Sequence, residues 1–497
     1  MKRGLTPAVV GALVLTTALT SAVAITASTP NEEPPVAWAE HSVEDLAVAT
    51  AEAAEVMDLE RFEEFLEASE VGEAQEHVVV YQWYIDAGEH DLEELFARGD
   101  AFFEHEFELE DGLGATGSVT PPQRVHGGVR GGLDTFSCAG CHSLGGPDGA
   151  GSATQSALLF GDGSRASSAV IRNPPAVLGL GFIQALGDEM TRELQSIRDG
   201  VRARARASGM PQAASLSSKG VSFGTIRVDA SGAIDPTDIE GVDADLVVKP
   251  FGWKGTIARL RRFAEDAARI HFGVQSHPLA IAHRGEPDPV RLGHGSDWWD
   301  PDGDGKQREV EEGTLTAASV YMAMLEVPVI LPPASESLRE RWARGQARFA
   351  DVGCAECHRP TLQLDSPVWQ EEADSPEGLP VSIHLLRDGE TPRGTQEVAL
   401  YSDLRRHDMG AGLRERKDDP AGVDAQVFLT RPLWGLAESA PYLHDGRALT
   451  IVEAILAHGG EAEASRDAFS ALSHDAQADL HVFLLSLSRA PHLRYAR

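Results

Sequence analysis

The chain has 497 residues, of which 42% are hydrophobic, and a formal net charge of −34. This length suits about three domains, and the apolar fraction is sufficient for globular cores. The large negative charge argues against nucleic acid or an anionic membrane as a partner and favours a basic protein surface. A proteome selected for acidic proteins would produce the same charge, so this preference remains one of two interpretations.

Residues 1–27 have the pattern of an export signal. Lys2 and Arg3 precede an apolar run at residues 8–24, and the small residues around Ala24 and Ala27 suit cleavage. The run is short for a bilayer span, so a cleaved signal is favoured over an uncleaved anchor. We therefore expect an exported, periplasmic protein with no membrane span in its mature chain.

The remaining chain divides into an extension and two larger parts. Residues 28–97 are acidic and rich in Ala and Glu, and their apolar spacing predicts a helical extension. A proline-rich stretch at residues 328–333 indicates a linker. It separates two candidate domains, residues 98–327, which contain insertions, and residues 335–497.

Two short motifs, at residues 138–142 and 354–358, share the pattern C-x-x-C-H and contain all four cysteines of the chain. Thiols at this spacing can add to the two vinyl groups of one haem, while the adjacent histidine binds the iron. Zinc sites also use C-x-x-C pairs, but two complete copies that use every cysteine favour haem. The predicted attachment residues of two covalent haems c are Cys138, Cys141, His142, Cys354, Cys357 and His358.

The predicted fold follows from these motifs and from the composition around them. Residues 112–151 are dense in glycine and predict an irregular loop, which suits a backbone that wraps closely around a flat cofactor. We expect a mainly α protein with two cytochrome c-like haem domains, irregular loops and an N-terminal helical extension.

Several segments resemble known dihaem proteins. Residues 440–448, Ala-Pro-Tyr-Leu-His-Asp-Gly-Arg-Ala, resemble the signature of the bacterial dihaem cytochrome c peroxidases and of the related dihaem enzyme that matures methylamine dehydrogenase. Residues 458–462, His-Gly-Gly-Glu-Ala, look closer to the dihaem oxidoreductase family of peroxidases and thiol oxidoreductases. Residues 111–114, 251–254 and 403–410 resemble the same family.

The resemblance implies a second iron ligand for the C-terminal haem. In the resembling proteins this ligand, methionine or tyrosine, lies on the helix that follows the signature. The matching position here is His458, fourteen residues after His444. A histidine that only caps its helix is the alternative, but the ability of imidazole to bind iron favours the ligand. Ligation by two histidines implies a lower potential than ligation by histidine and methionine.

No sixth ligand is apparent for the first haem. When residues 172–180 are aligned with residues 431–436, Asp188 takes the position of His444. No His or Met follows Asp188 at the distance that separates His458 from His444. This favours an open iron position, which peroxide binding requires. Gln184 and Glu189 have the residue types of a distal acid–base pair but lie too early, so no catalytic residue is assigned. The other histidines considered, His105, His126 and His271, are interpreted as surface or hydrogen-bonded residues.

The resemblance implies an oxidoreductase, and the predicted reaction is reduction of hydrogen peroxide or a similar small oxidant at the His142 haem. Electrons would come from a redox protein, basic if the net charge is a guide, and pass through the haem of His358 and His458. Two alternatives remain: a non-catalytic electron-transfer cytochrome, and a dihaem enzyme that oxidises residues of a partner protein. Thiol oxidation has no support, because the motifs use every cysteine.

One further pattern predicts a calcium site. Asp300, Asp302, Asp304 and Glu311 occupy the positions of the sequence D-x-D-x-D-G-x5-E, in which carboxylates alternate on a tight loop. An acidic turn in an acidic protein is the alternative, and Arg308 within the loop favours that alternative. Trp253, between the two motifs, is interpreted as core or interface filling rather than as an electron relay.

Overall fold

The computed structural model of the chain describes residues 78–114, 134–162, 165–278, 306, 309–374, 378–385 and 395–489. All of these residues belong to a compact unit that spans Glu60–Arg497, and the other compact unit, Met1–Leu59, lies outside them. The predicted signal and most of the predicted extension also lie outside the described residues. Within the described ranges, no helix has the length and apolarity that a membrane crossing requires.

Helices dominate the regular structure of the described residues. The longest, α3, has glycines in the left-handed conformation at both ends, Gly179 before it and Gly209 after it, which suits glycine because it lacks a Cβ. The helices are α1 Gln82–Asp86, α2 Leu92–Glu104, α3 Leu180–Ser208, α4 Leu260–Ala267, α5 Glu312–Met324, α6 Glu336–Asp351, α7 Ile451–Ala457, α8 Glu463–Ser470 and α9 His474–Leu484.

The strands are short and pair antiparallel, in sheets of two or three strands. The largest is the three-stranded sheet β3–β4–β5, which the chain inserts directly after α3. The mainly α prediction therefore describes the helical elements but omits these small sheets. The strands are β1 Ala157–Leu159, β2 Val170–Arg172, β3 Gln212–Ser218, β4 Val221–Val228, β5 Ile234–Asp235, β6 Val329–Ile330, β7 Leu362–Leu364, β8 Val368–Glu371, β9 Val381–His384, β10 Gln396–Val398, β11 Arg406–Asp408, β12 Val427–Leu429 and β13 Leu487–Ser488.

The larger of two hydrophobic cores lies among α2, α3 and α5. Helices α2 and α5 cross closely at Gly99, where a Cβ atom would come within 2.2 Å of the Ala317 carbonyl oxygen. Strands β7 to β10, which follow the second motif, also place buried residues in this core, for example Leu364 and Trp369. The predicted domain limits remain a prediction, but this core combines residues from both sides of the predicted linker.

The second core lies between α6 and α9, where Phe349, Leu480 and Phe483 are buried. The two helices approach so closely that a Cβ on Gly345 would lie 2.0 Å from the Asp479 carbonyl oxygen. Helix α7 packs its Ile451 against the same core. Its start is marked by a capping box, in which Thr450 and Glu453 each bond to the other's backbone N–H. This core positions the helix that leads to His458.

Candidate haem sites

Each C-x-x-C-H motif forms a single tight turn. In the first, the backbone N–H groups of Cys141 and His142 donate to the carbonyl oxygen of Cys138, at 3.0 and 3.1 Å. In the second, the N–H of His358 donates to the carbonyl oxygen of Cys354 at 2.9 Å. Residues three and four positions apart share one face of such a turn. Both thiols and the imidazole of each motif are therefore presented to the same side.

The first histidine, His142, is fixed against the end of α2. Its Nδ1 lies 3.3 Å from the carbonyl oxygen of Gly149, and its ring centre lies 5.9 Å from that of Phe103. The carbonyl oxygen of Phe103 also accepts from the N–H of Ala139 at 3.1 Å, which anchors the motif itself. Burial lowers the pKa of His142 to about 4, so the ring is neutral, the form that binds a metal.

The second site brings two imidazoles together. His358 donates from Nδ1 to the carbonyl oxygen of Tyr401 at 3.0 Å, and His458 donates from Nδ1 to that of Ala454 at 2.7 Å. A carbonyl can only accept, so Nδ1 carries the proton in each ring and Nε2 keeps its lone pair. Burial lowers the pKa of both histidines, to about 4 for His358.

The spacing of these two rings suits one metal ion between them. Their centres are 6.4 Å apart. An imidazole nitrogen lies about 1.2 Å from its ring centre and binds a first-row metal at about 2 Å, so two opposed imidazoles on one metal need about 6.4 Å. His458 follows α7 as its C-cap residue, and the helix-capping alternative and the ligand role are therefore compatible. Its role as ligand remains a prediction that this spacing favours.

The second motif and His458 line one cavity, whose wall is largely apolar and includes Phe428, Trp434 and Leu433. Arg431 also lines it, with its guanidinium 5.7 Å from the centre of the Trp253 ring. Burial lowers the pKa of Arg431 to about 10. Within the described ranges, no carboxylate lies within ion-pair distance of this guanidinium. A half-buried cation that lines a largely apolar cavity suits the carboxylate groups of a haem, so the donor set fits that cofactor.

A protonated histidine lies beside the second motif. His407, in β11, bonds to Asp403 through Nε2 and to Glu461 through Nδ1, each at 2.8 Å. Burial by itself would lower its pKa, but the hydrogen bonds to Asp403 and Cys357 raise it to about 10. Glu461 also accepts from the backbone N–H of Asp408 at 2.9 Å. This carboxylate therefore ties β11 to the turn directly after His458.

The segment at residues 251–254 connects the first half of the chain with this cavity through hydrogen bonds. Trp253, which lines the cavity, donates from its indole nitrogen to the carbonyl oxygen of Asn173 at 2.7 Å. Lys254 is fully buried, and its Nζ donates to the carbonyl oxygens of Ala425 and Val427 at 2.8 and 2.9 Å. The same ammonium group lies 3.6 Å from the ring centre of Phe428. The sequence predicts core or interface filling for Trp253 and assigns no role to Lys254.

The predicted calcium site is only partly within the described residues. Asp300, Asp302 and Asp304 lie outside them, so the site remains a prediction. Glu311 is described: it is buried at the start of α5, with Oε2 3.4 Å from Nδ1 of His277. Nearby, the buried side-chain amide of Gln275 has no hydrogen-bond partner among the described residues.

The remaining candidates have structural partners. His105 bonds to Asp111 and His271 to Asp134, each at 2.9 Å, as the interpretation of hydrogen-bonded histidines predicts. His126 lies outside the described residues. Gln184 donates to the carbonyl oxygen of Gln370 and accepts from the N–H of Leu260. Glu189 accepts from two backbone N–H groups and pairs with Lys219. These contacts support leaving Gln184 and Glu189 without catalytic roles.

Two C-x-x-C-H turns with neutral histidines, one of them facing a further imidazole, form two candidate haem sites. Residues 316–487 match the model of the family described as "Di-haem oxidoreductase, putative peroxidase". The match includes the second motif, Arg431 and His458. The resemblance to the dihaem oxidoreductase family, predicted from the motifs, is confirmed by this match.

Two chains among the solved structures are similar to this one in part. One is the hydrazine synthase of Kuenenia stuttgartiensis, with 23% identity over 35% of this chain and a TM-score of 0.22. This chain spans 55% of that one. The other is a MauG-like protein associated with microbial copper homeostasis, with 18% identity, 53% and 78% of the two chains covered, and a TM-score of 0.25. No curated protein matches the chain.

Proposed function

We propose that the protein is an exported dihaem c-type oxidoreductase that reduces hydrogen peroxide or a similar small oxidant. The oxidant would react at the haem held by Cys138, Cys141 and His142. Electrons would enter through the haem held by Cys354, Cys357 and His358. The family match over residues 316–487 supports the oxidoreductase class. The choice of peroxide as oxidant and the direction of electron flow rest on the difference between the two sites.

The observation that carries the proposal is the asymmetry of the two histidines. The ring of His358 faces the ring of His458 at 6.4 Å, whereas Phe103 is the only ring in contact with His142 among the residues that the structure describes. An iron with two strong ligands transfers electrons, and an iron with an open position binds and reduces peroxide.

Residues around the second site would hold the cofactor and fix its ligands. Main-chain carbonyl groups orient both imidazoles, so their positions do not depend on flexible side chains. Arg431 would pair with a haem carboxylate inside the apolar cavity. His407, held as an imidazolium by Asp403 and Glu461, places one more positive charge beside the motif.

The partner and location remain part of the proposal. A net charge of −34 suits an electron donor with a basic surface, because opposite charges increase the rate of encounter. The pattern of residues 1–27 supports export, and export suits covalent haem attachment at the two motifs. If the donor has a basic surface, we expect turnover with this donor to fall at high salt, because salt screens the attraction. The direct reaction of the protein with peroxide should not change.

Low-temperature EPR of the fully oxidised holoprotein, before and after hydrogen peroxide, tests the proposal. We expect one high-spin and one low-spin ferric signal, with only the high-spin signal altered by peroxide. Two low-spin signals that peroxide leaves unchanged would overturn the proposal and leave a non-catalytic electron-transfer cytochrome. Peroxide reactivity without turnover of any small donor would instead favour an enzyme that oxidises a partner protein.

A further inference from the structure

A buried phenol and carboxylate form a pair beside the first motif. The hydroxyl of Tyr321, on α5, donates to Oδ1 of Asp148 at 2.7 Å, and the two residues are only 4% and 2% exposed. The other oxygen of Asp148 has no hydrogen-bond partner among the described residues. Burial raises the pKa of Asp148 to about 7. This carboxyl group can therefore take up or release a proton near neutral pH.

The pair lies one aromatic ring away from the first histidine. The ring of Phe103 has its centre 5.9 Å from that of His142 and 5.5 Å from that of Tyr321. Asp148 directly precedes Gly149, whose carbonyl oxygen accepts from His142. Helices α2 and α5 approach closely at this point, because a Cβ on Gly99 would lie 2.6 Å from the Tyr321 Cβ.

A second carboxyl group continues the pair towards the solvent. Asp100 also hydrogen-bonds to the Tyr321 hydroxyl, and burial raises its pKa. Glu104 lies one turn further along α2 than Asp100. Asp100 and Glu104 are both partly exposed. A phenol has one proton to donate, so it cannot satisfy two ionised carboxylates at once. The arrangement therefore suits a shared proton that can move among Asp148, Tyr321 and Asp100.

We propose that Tyr321 is an electron donor to the first haem, with Asp148 as the base that accepts its proton. This inference rests on the proposed reaction with peroxide. The phenol gives one electron to the peroxide-oxidised haem, its O–H bond breaks, and the proton goes to the Asp148 carboxylate. A neutral phenoxyl radical remains on Tyr321. One electron from the redox donor then reduces the radical, and the proton returns from Asp148, so atoms and electrons balance.

This role would give the protein a place to hold one oxidising equivalent away from the iron. When the electron leaves, proton transfer over the 2.7 Å hydrogen bond takes the buried pair from one negative charge, on Asp148, to no charge, so that no phenol radical cation forms. A separated charge would be costly in an apolar core. Phe96 and Phe103, whose rings lie 5.0 and 5.5 Å from that of Tyr321, supply this core.

Rapid-freeze EPR after mixing the holoprotein with hydrogen peroxide tests the inference. We expect a radical signal that narrows when the protein contains ring-deuterated tyrosine. The signal should be lost in Tyr321→Phe, which keeps the ring packing, and should diminish in Asp148→Asn, which cannot take the proton. The control is Tyr84→Phe, which removes the phenol of a residue that is 41% exposed on α1 and should leave the signal unchanged. A tyrosyl signal that persists in Tyr321→Phe would overturn the inference.

A second measurement separates this inference from the proposed function. Laser oxidation of the holoprotein with a ruthenium tris-bipyridine photo-oxidant generates radicals without peroxide. A Tyr321-dependent radical under light, with haems that do not react with peroxide, would remove the peroxidase proposal but support the redox role of Tyr321. Peroxide-reactive haems with no Tyr321-dependent radical by either route would leave the proposed function standing and overturn the inference.

Discussion

His358 and His458 are oriented in the same way, each through a hydrogen bond from Nδ1 to a main-chain carbonyl oxygen, at 3.0 Å to Tyr401 and 2.7 Å to Ala454. The acceptor for His458 lies four residues earlier in the last turn of α7. Both orienting atoms belong to the backbone, so the facing arrangement depends on the fold of the second core rather than on neighbouring side chains.

Substitution of His458 should change the spin state of one haem. His458→Ala removes one facing imidazole, so we expect the low-spin ferric EPR signal to be replaced by a high-spin signal. His458→Met should restore a low-spin signal and raise the potential of that haem by on the order of 100 mV, because methionine favours the reduced iron. His474→Ala, an exposed histidine at the start of α9, is the matched control. An unchanged low-spin signal in His458→Ala would show that His458 only caps its helix.

Removal of the Arg431 charge should lower one haem potential. The guanidinium favours the reduced haem, which carries one less positive charge, so Arg431→Leu should lower the potential of the second haem by roughly 60 mV or more, which corresponds to a tenfold change in a one-electron equilibrium. Spectroelectrochemical titration of the holoprotein measures the change. Arg414→Leu removes a half-exposed arginine and should leave both potentials unchanged. Equal effects of the two substitutions would argue against a cofactor role for Arg431.

Loss of the Lys254 ammonium should destabilise the protein strongly. Its Nζ lies 3.3 Å from Oε2 of Glu415, which is buried with it, and caps backbone carbonyl groups near Phe428. Lys254→Met removes this donor from the buried carbonyl oxygens and from Glu415, which keeps Arg172 as its partner, at a cost of about 3–5 kcal/mol in the free energy of unfolding. Denaturation with urea measures this change. Arg227→Met, which removes an exposed ion pair with Asp238, should have little effect.

The stability of the protein should depend on the protonation of Glu371. Burial raises the pKa of this carboxyl group to about 7, above its ordinary value of 4.5. Its stabilising contribution is therefore present below pH 4.5 and is lost as the pH rises through about 7. Glu371→Gln removes this titration and should exceed the wild type in stability at pH 8 by on the order of 2–3 kcal/mol, but not at pH 4.5. Urea denaturation at both pH values measures the difference. A constant difference between the proteins at both pH values would contradict the prediction.

The close packing of α6 on α9 should not tolerate a side chain at Gly345. A Cβ there would lie 2.0 Å from the Asp479 carbonyl oxygen. Gly345→Ala should therefore separate the helices and reduce the free energy of unfolding of the second core by about 1–3 kcal/mol. Thermal unfolding followed by haem absorbance measures this. Gly412→Ala is the control, because a Cβ on Gly412 would have no neighbouring atom within 4 Å.

The attachment motifs could be predicted in full from the sequence, because their chemistry is local. Two thiols and an imidazole within five residues share one turn in any fold that allows the turn to form. His458 was located by its distance from the signature at residues 440–448, and the spacing of the rings came only from the structure. The aspartates of the predicted calcium loop lie outside the described residues, and that site remains a prediction.

The residues that sequence reasoning missed have partners far along the chain. Asp148 and Tyr321 are 173 residues apart, and Lys254 meets carbonyl groups about 170 residues later. Arg431 begins a segment that echoes residues 172–180, but the sequence assigns it no role, because an arginine is unusual only when its surroundings are apolar. His407 and its partner Asp403 lie in one motif, at residues 403–410, but its second partner, Glu461, lies 54 residues later.

By itself, the sequence determined that the protein has two haem attachment motifs and a resemblance to dihaem oxidoreductases, because both follow from short, contiguous patterns. The tertiary structure alone decided how far apart the rings of His358 and His458 lie, that Arg431 lines the cavity, and that Tyr321 reaches Asp148. Those relationships depend on long-range packing, in which burial removes the water that would otherwise pair with each polar group.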